Sequence, residues 1–174
     1  KIVITGGTGF LGLMLARALI KRGRLTAPSG KQAEIDEILL FDVVAPPARP
    51  AGLDDRVKIA TGEISDKDRI AGLIDRDDIG LFHLASVVSG EGEQNFDLAM
   101  RVNLDGTRHL LEAARARGSR PRLVFASSIA VFGGEGMPTS VGDAVKQTPQ
   151  TTYGVTKAIG ELLVNDYSRK GFID

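Results

Sequence analysis

The sequence has no cysteine and only two histidines, His83 and His109. Without a thiol there is no disulfide, no thiolate metal site and no cysteine nucleophile. Two histidines are too few for a histidine-built metal centre, and no metal is expected. Neither sign of charge is in excess, since 22 Lys and Arg balance 22 Asp and Glu. Nucleic-acid binding usually leaves a basic surplus, so the balance argues against that partner. No apolar run approaches the roughly 18 residues of a membrane span. The short apolar start breaks at once into glycines, unlike a secretory signal. These absences lead us to expect a soluble, cytoplasmic protein with no membrane partner. The chain opens at Lys1 without an initiator Met and stops at Asp174 on no closing feature, so we expect a longer polypeptide around it.

What is present is an alternation. KIVIT, EILLFDV, RVKIATG, GLFHLAS and RLVFASS are short apolar or alternating runs of strand length. Helical patterns separate them: FLGLMLARALIKR, Asp66 to Ile74, about Gln94 to Arg117, and Thr152 to about Lys170. Strands alternating with amphipathic helices imply βαβ units and a parallel sheet. Right-handed crossovers favour a doubly wound α/β sheet, the Rossmann fold. Three segments read as loops: polar Arg24 to Asp36, VAPPARPAGLDD, and Gly133 to Thr151. The third has nineteen residues, a length at which loops are usually functional or disordered.

The stretch TGGTGFLG lies between the first strand and the first helix. Gly6, Gly9 and Gly12 give G-x-x-G-x-x-G, while Gly7, Gly9 and Gly12 give G-x-G-x-x-G. Bare backbone at a strand-to-helix turn lets a pyrophosphate approach, and the helix N-terminus offers amide donors. Gly6, Gly9, Phe10, Leu11 and Gly12 are therefore candidate cofactor residues. Asp42 ends the second strand, where a carboxylate can accept both adenosine ribose hydroxyls and repel a 2′-phosphate. That choice favours NAD over NADP. Asp42 stands thirty residues past Gly12, not about twenty past the fingerprint, and the polar loop Arg24 to Asp36 is the expected surface insertion. Glu63, with Ile64 beside it, follows the third strand, within reach of an adenine amino group; a solvated loop acid is the alternative. Ala85 and Ser86 are small enough to let a cofactor lie against the end of the fourth strand.

Tyr153 and Lys157 are four apart on one helical face. Free tyrosine, with a pKa of about 10, is a poor base. An ammonium nearby favours the phenolate, and bringing it to about pH 7 takes roughly 4 kcal/mol. Phenolate could then take a substrate hydroxyl proton while hydride leaves the same carbon. Ser127 and Ser128 end the fifth strand, and either hydroxyl could hold the reacting oxygen. Asn103 is a polar residue in mid-helix, placed to bond backbone near the active strands and hold the nicotinamide side. His83 reads as a buried core residue and His109 as surface helix; neither is assigned to catalysis.

Taken together, TGGTGFLG, HLAS, NLDGT, SSIAVFG and YGVTK resemble the extended short-chain dehydrogenase/reductase family, the NAD-dependent epimerase/dehydratases. The resemblance spans almost the whole chain and runs in the family's order. It implies an NAD-binding Rossmann domain over residues 1–174, lacking its C-terminal part, with a small substrate domain expected after it. It carries the catalytic roles to Ser128, Tyr153 and Lys157, and adds Tyr153 and Lys157 to the cofactor contacts. Phe132 replaces the usual tyrosine of the VYG-like element. Ile129 and Ala130 stand where the family's sugar-nucleotide dehydratases carry an Asp-Glu pair, which argues against dehydration. The stretch HLASVVSGEGEQNFDLAMRVNLDGTR is most similar to the D-erythronate dehydrogenase group, which implies NAD-linked oxidation of a secondary alcohol on a short sugar acid. A nucleoside-diphosphate-sugar epimerase with tightly bound NAD is the alternative, and a non-catalytic NAD-binding module a third reading. Family members also pair as homodimers through two long helices, here the last two.

Overall fold

A computed structural model describes all of residues 1–174. Five strands form one parallel sheet: β1 (Ile2–Thr5), β4 (Ile38–Asp42), β5 (Val57–Thr61), β6 (Gly80–His83) and β7 (Arg122–Phe125), in the order β5-β4-β1-β6-β7. β1 is central, with Ile4 beside Leu40 on one side and Phe82 on the other. The chain leaves β1 toward β4 and later returns to β6, so the winding reverses between β1 and β6. In open α/β sheets ligands bind at such a switch point, beyond the strands' carboxyl ends.

Both faces of the central strands are apolar, and the period-two alternation sorts them. Val3, Leu39, Phe41 and Leu81 pack on one face against α2 (Lys67–Leu73) and α5 (Gly106–Arg117), through Ile70, Leu73, Leu110 and Leu111, with α6 (Thr152–Arg169) alongside. Ile2, Ile4, Ile38, Leu40 and Val57 pack on the other against Ala16 and Leu19 of α1 (Phe10–Arg22). α1 spans the residues its sequence pattern indicated. It ends where Gly23, in the left-handed region at φ 69°, returns its N–H to Leu19 O. α2 starts where the Asp66 carboxylate accepts from the Asp68 and Arg69 amides.

The structure corrects two local expectations. Arg24 to Asp36 is not simply a loop: β2 (Arg24–Thr26) and β3 (Gln32–Glu34) pair as an antiparallel hairpin. It stands at the amino ends of the strands, where it shares a cavity of about 200 Å³ with Ile2, Gly80 and Arg122. The helix expected from Gln94 to Arg117 is interrupted. α3 (Ser89–Gln94) stops at Asn95, whose side chain caps α4 (Phe96–Ala99) by accepting from Leu98 N. Met100–Asp105 then forms a stretch of wider π turns leading into α5. Asn is a strong N-cap and an indifferent interior residue, so a uniform helical pattern hid the break. His109, expected at the surface, is half-buried, with its Nδ1 unpartnered.

Candidate functional site

The loop between β1 and α1 is fastened to the strands on both sides of it. Gly7 N–H donates to Phe41 O at 3.1 Å, and Thr8 N–H to Asp42 Oδ2 at 3.0 Å. On the other flank Leu84 N–H donates to Thr5 O, and Ala85 N–H to Thr5 Oγ1. Gly9 is the N-cap of α1, and no side chain caps the first turn. The amides of Phe10, Leu11 and Gly12 have no acceptor within the helix, because first-turn donors never do. Gly12 permits the tight turn: a Cβ there would lie 2.5 Å from Gly6 O and 2.6 Å from Gly7 O.

A cleft of about 540 Å³ opens over this loop at the strands' carboxyl ends. Ten of the residues singled out for the cofactor line it: Gly6, Gly9, Phe10, Leu11, Gly12, Asp42, Glu63, Ile64, Ala85 and Ser86. Asp42 lines the cleft, and the Thr8 and Val43 amides each donate to one of its oxygens. Two amides on an acceptor-only carboxylate fix its orientation. Glu91, Leu98, Arg101 and Val102 also line the cleft and were not anticipated. Glu91 lies on α3, ahead of the helix expected from the sequence, and Leu98, Arg101 and Val102 lie on α4 and the π stretch, within it.

Asn103, Tyr153 and Lys157 do not line this cleft. Asn103 is buried one layer behind it, and its side chain is fully engaged. Its Oδ1 accepts from Val87 N–H at 2.7 Å; its Nδ2 donates to Val87 O at 3.1 Å and to Thr156 Oγ1 at 3.2 Å. Val87 is a cleft residue, so Asn103 clamps the wall from the rear. Thr156 passes its own proton to Tyr153 O at 2.9 Å. His83 is buried as expected, and continues the network. Thr107 donates to Asn103 O at 2.6 Å, leaving its oxygen to accept from His83 Nε2 at 2.9 Å. Nδ1 is then the acceptor for Thr5 Oγ1 at 2.7 Å. Burial, then the charge of Lys157, hold the imidazole neutral, with its pKa pushed down to about 3. One chain of hydrogen bonds thus joins the end of β1 to the start of α6. Thr5, Thr107 and Thr156 were missed in the sequence, because threonine at a strand end or inside a helix carries no distinctive spacing.

The two serines after β7 separate cleanly. Ser127 Oγ donates to the Glu161 carboxylate on α6, which also accepts from Gln147 Nε2. Ser128 instead caps the short 3₁₀ turn Ile129–Val131, its Oγ accepting from Ala130 N–H at 3.2 Å. α6 meets that turn closely, since a Cβ on Gly154 would collide with Ala130 O. Thr151 caps α6 through Gly154 N–H at 3.0 Å. Tyr153, half-buried, thereby begins its helix beside the turn that Ser128 opens. Lys157 is 4% exposed, donates to Ala126 O at 2.8 Å, and places Nζ 5.7 Å from the centre of the Tyr153 ring. Burial pushes its pKa down to about 8. A charge so short of solvent is relieved by an anion close by.

The residues fit a dinucleotide. Uncapped amides at the N-terminus of α1 suit a diphosphate, and the anchored Asp42 carboxylate suits a ribose. Comparison with known proteins agrees. The model of the NAD dependent epimerase/dehydratase family matches residues 2–174. The chain belongs to this NAD-dependent epimerase/dehydratase family. It is 53% identical over 175 residues to D-erythronate dehydrogenase of Cupriavidus necator, and 42% identical over 174 residues to that of Haemophilus influenzae. Each match takes in 100% of this chain and 52% of the relative, so the chain spans about half the length of the curated relatives it matches. Among solved structures, a nucleoside-diphosphate-sugar epimerase from Agrobacterium tumefaciens superposes with a TM-score of 0.86 at 42% identity, covering 99% of this chain and 50% of that one. NAD is the cofactor that membership of the epimerase/dehydratase family brings. No helix is long and apolar enough to cross a membrane.

Proposed function

We propose that the protein oxidises a secondary alcohol of a short sugar acid, as the D-erythronate dehydrogenases do. The carrying observation is the identity of 53% and 42% to two such enzymes across the whole chain. Tyr153 removes the proton of the substrate hydroxyl. Lys157, with its charge held away from water, favours the phenolate that does so. Ser128 holds the reacting oxygen; Ser127, spent on Glu161, does not. The α1 amides and Asp42 bind the cofactor, and Glu63, Ile64, Ala85 and Ser86 complete the wall against which it lies. Bound NAD supplies the acceptor for the hydride that leaves the carbinol carbon. Asn103 acts through Val87 and Thr156 and supports both halves of the site.

The remaining parts of the reading follow the relatives' length and the exposed surface. A C-terminal substrate domain completes the pocket, in keeping with relatives about twice as long. Two copies pair through the last two helices, for which exposed Val155 and Leu162 on α6 are suited. The partner in the reaction is a small carbohydrate acid, and the setting is the cytoplasm. The name of the Agrobacterium structure favours a second reading, epimerisation of a nucleoside-diphosphate sugar. Incubation of the purified protein with D-erythronate and NAD separates the two. The proposal expects NADH to accumulate in proportion to substrate consumed. No NADH from D-erythronate, alongside interconversion of a UDP-sugar without net NADH, would hand the site to the epimerase.

A further inference from the structure

We propose that Arg101 is an adenine-binding residue of the cleft, an assignment that rests on the NAD reading. Arg101 is the single cation among the cleft's lining residues, which include three carboxylates, Asp42, Glu63 and Glu91. It is exposed and makes no side-chain hydrogen bond or ion pair. Its neighbours along the helix behave differently. Arg108 pairs with Asp105 and Arg115 with Glu112, each with an acid three residues back, and Arg117 reaches Asp77 on another element. The residue three before Arg101 is Leu98, itself a cleft residue, and the acid four after it, Asp105, is taken by Arg108. Asp97, four before it, stands at pairing spacing but makes no ion pair with it, so Arg101 alone among these arginines is unengaged.

The order of the strands says what it meets there. The diphosphate belongs over the loop after β1, and the ribose at Asp42 after β4. The next station outward is the end of β5, at Gly62, Glu63 and Ile64. A base continuing from the ribose arrives in that slot. Leu98, Arg101 and Val102 line the same cleft. Ile64, Leu98 and Val102 supply apolar walls for a flat ring. A planar guanidinium with no other engagement stacks on such a ring, and Arg is suited to this where Lys is not. The same charge offsets part of the acidity that an anionic dinucleotide meets on entering.

The test is a titration that needs no turnover. NADH binding to the purified protein is followed by NADH fluorescence, and adenosine, which carries base and ribose but no phosphate, is measured by competition. Arg101→Ala should raise the Kd of NADH about tenfold and that of adenosine by a similar factor, with thermal stability unchanged at this exposed position. Arg101→Lys should restore less than half of the loss on a logarithmic scale. An Arg101→Ala protein that binds NADH within twofold of the parent overturns the proposal. So does one that loses NADH affinity while holding adenosine unchanged, since the contact would then be to phosphate. Failure of the unaltered protein to bind NADH removes the cofactor reading itself, and this inference with it.

Discussion

At the glycine loop the groups turned toward the cleft are main-chain amides, held by β4 on one side and β6 on the other. At the start of α6, behind the cleft's lining, the groups that matter are side chains, and their properties come from what surrounds them: Lys157 is buried against Phe125 and Tyr153, and His83 is buried nearby. The first region positions without titrating. The second is chemically tuned and stores an electrostatic cost in the process. Substitutions should therefore act through shape at one end and through charge at the other.

The largest effect is expected at the tuned end. Tyr153→Phe keeps the ring and removes only the hydroxyl, so kcat should fall by about 10³- to 10⁴-fold, with the Kd of NADH within about threefold of the parent. Stopped-flow turnover and a fluorescence titration check both halves, and a kcat within tenfold of the parent would take the base role from Tyr153. At the loop, Gly12→Val drives a side chain into two carbonyls and should cost at least about 3 kcal/mol of stability, together with cofactor binding. Urea unfolding measures it.

A pH comparison isolates the charge on Lys157. Its pKa is about 8 in the folded protein and 10.5 when unperturbed. The unfolded chain therefore holds more protons between those limits, and this residue's contribution to stability rises with pH from about 8 to 10.5. Below that window the native state carries the whole penalty, roughly 3 kcal/mol at about 1.4 kcal/mol per unit. Lys157→Met should thus gain on the parent by about that much at pH 7 relative to pH 11, read from unfolding midpoints. A difference independent of pH would mean that the ammonium is well solvated. The smallest effect belongs to Asp42→Ala, which should cut the preference for NAD over NADP by about tenfold in binding competition, through loss of a fixed carboxylate.

Much of this was legible before any coordinates. The five parallel strands, the span of α1 and the doubly wound class follow from periodicities that burial on both faces enforces. Gly6, Gly9, Gly12 and Asp42 were legible because backbone chemistry at a strand-to-helix turn restricts which residues serve. Ser128 was chosen over Ser127 only through the family resemblance; the physical difference lies in the placement of Glu161, thirty-three residues after Ser128, which engages the Ser127 hydroxyl. The break at Asn95 and the π stretch were hidden for a related reason. Helical periodicity survives a short interruption, and the hydrogen bonds that hold Asn103 come from Val87 and Thr156, far away in the chain. The roles of Ser127 and Asn103 escaped because they depend on partners distant in sequence.

The β2–β3 hairpin grows from the rim opposite the cleft, although it falls between the two parts of the dinucleotide fingerprint. Counting residues along the chain makes Gly12 and Asp42 look remote, yet the amide of Thr8, inside the glycine loop, touches Asp42. Material can therefore be added or trimmed at that hairpin without disturbing the chemistry, which makes its turn a sensible place to attach a label.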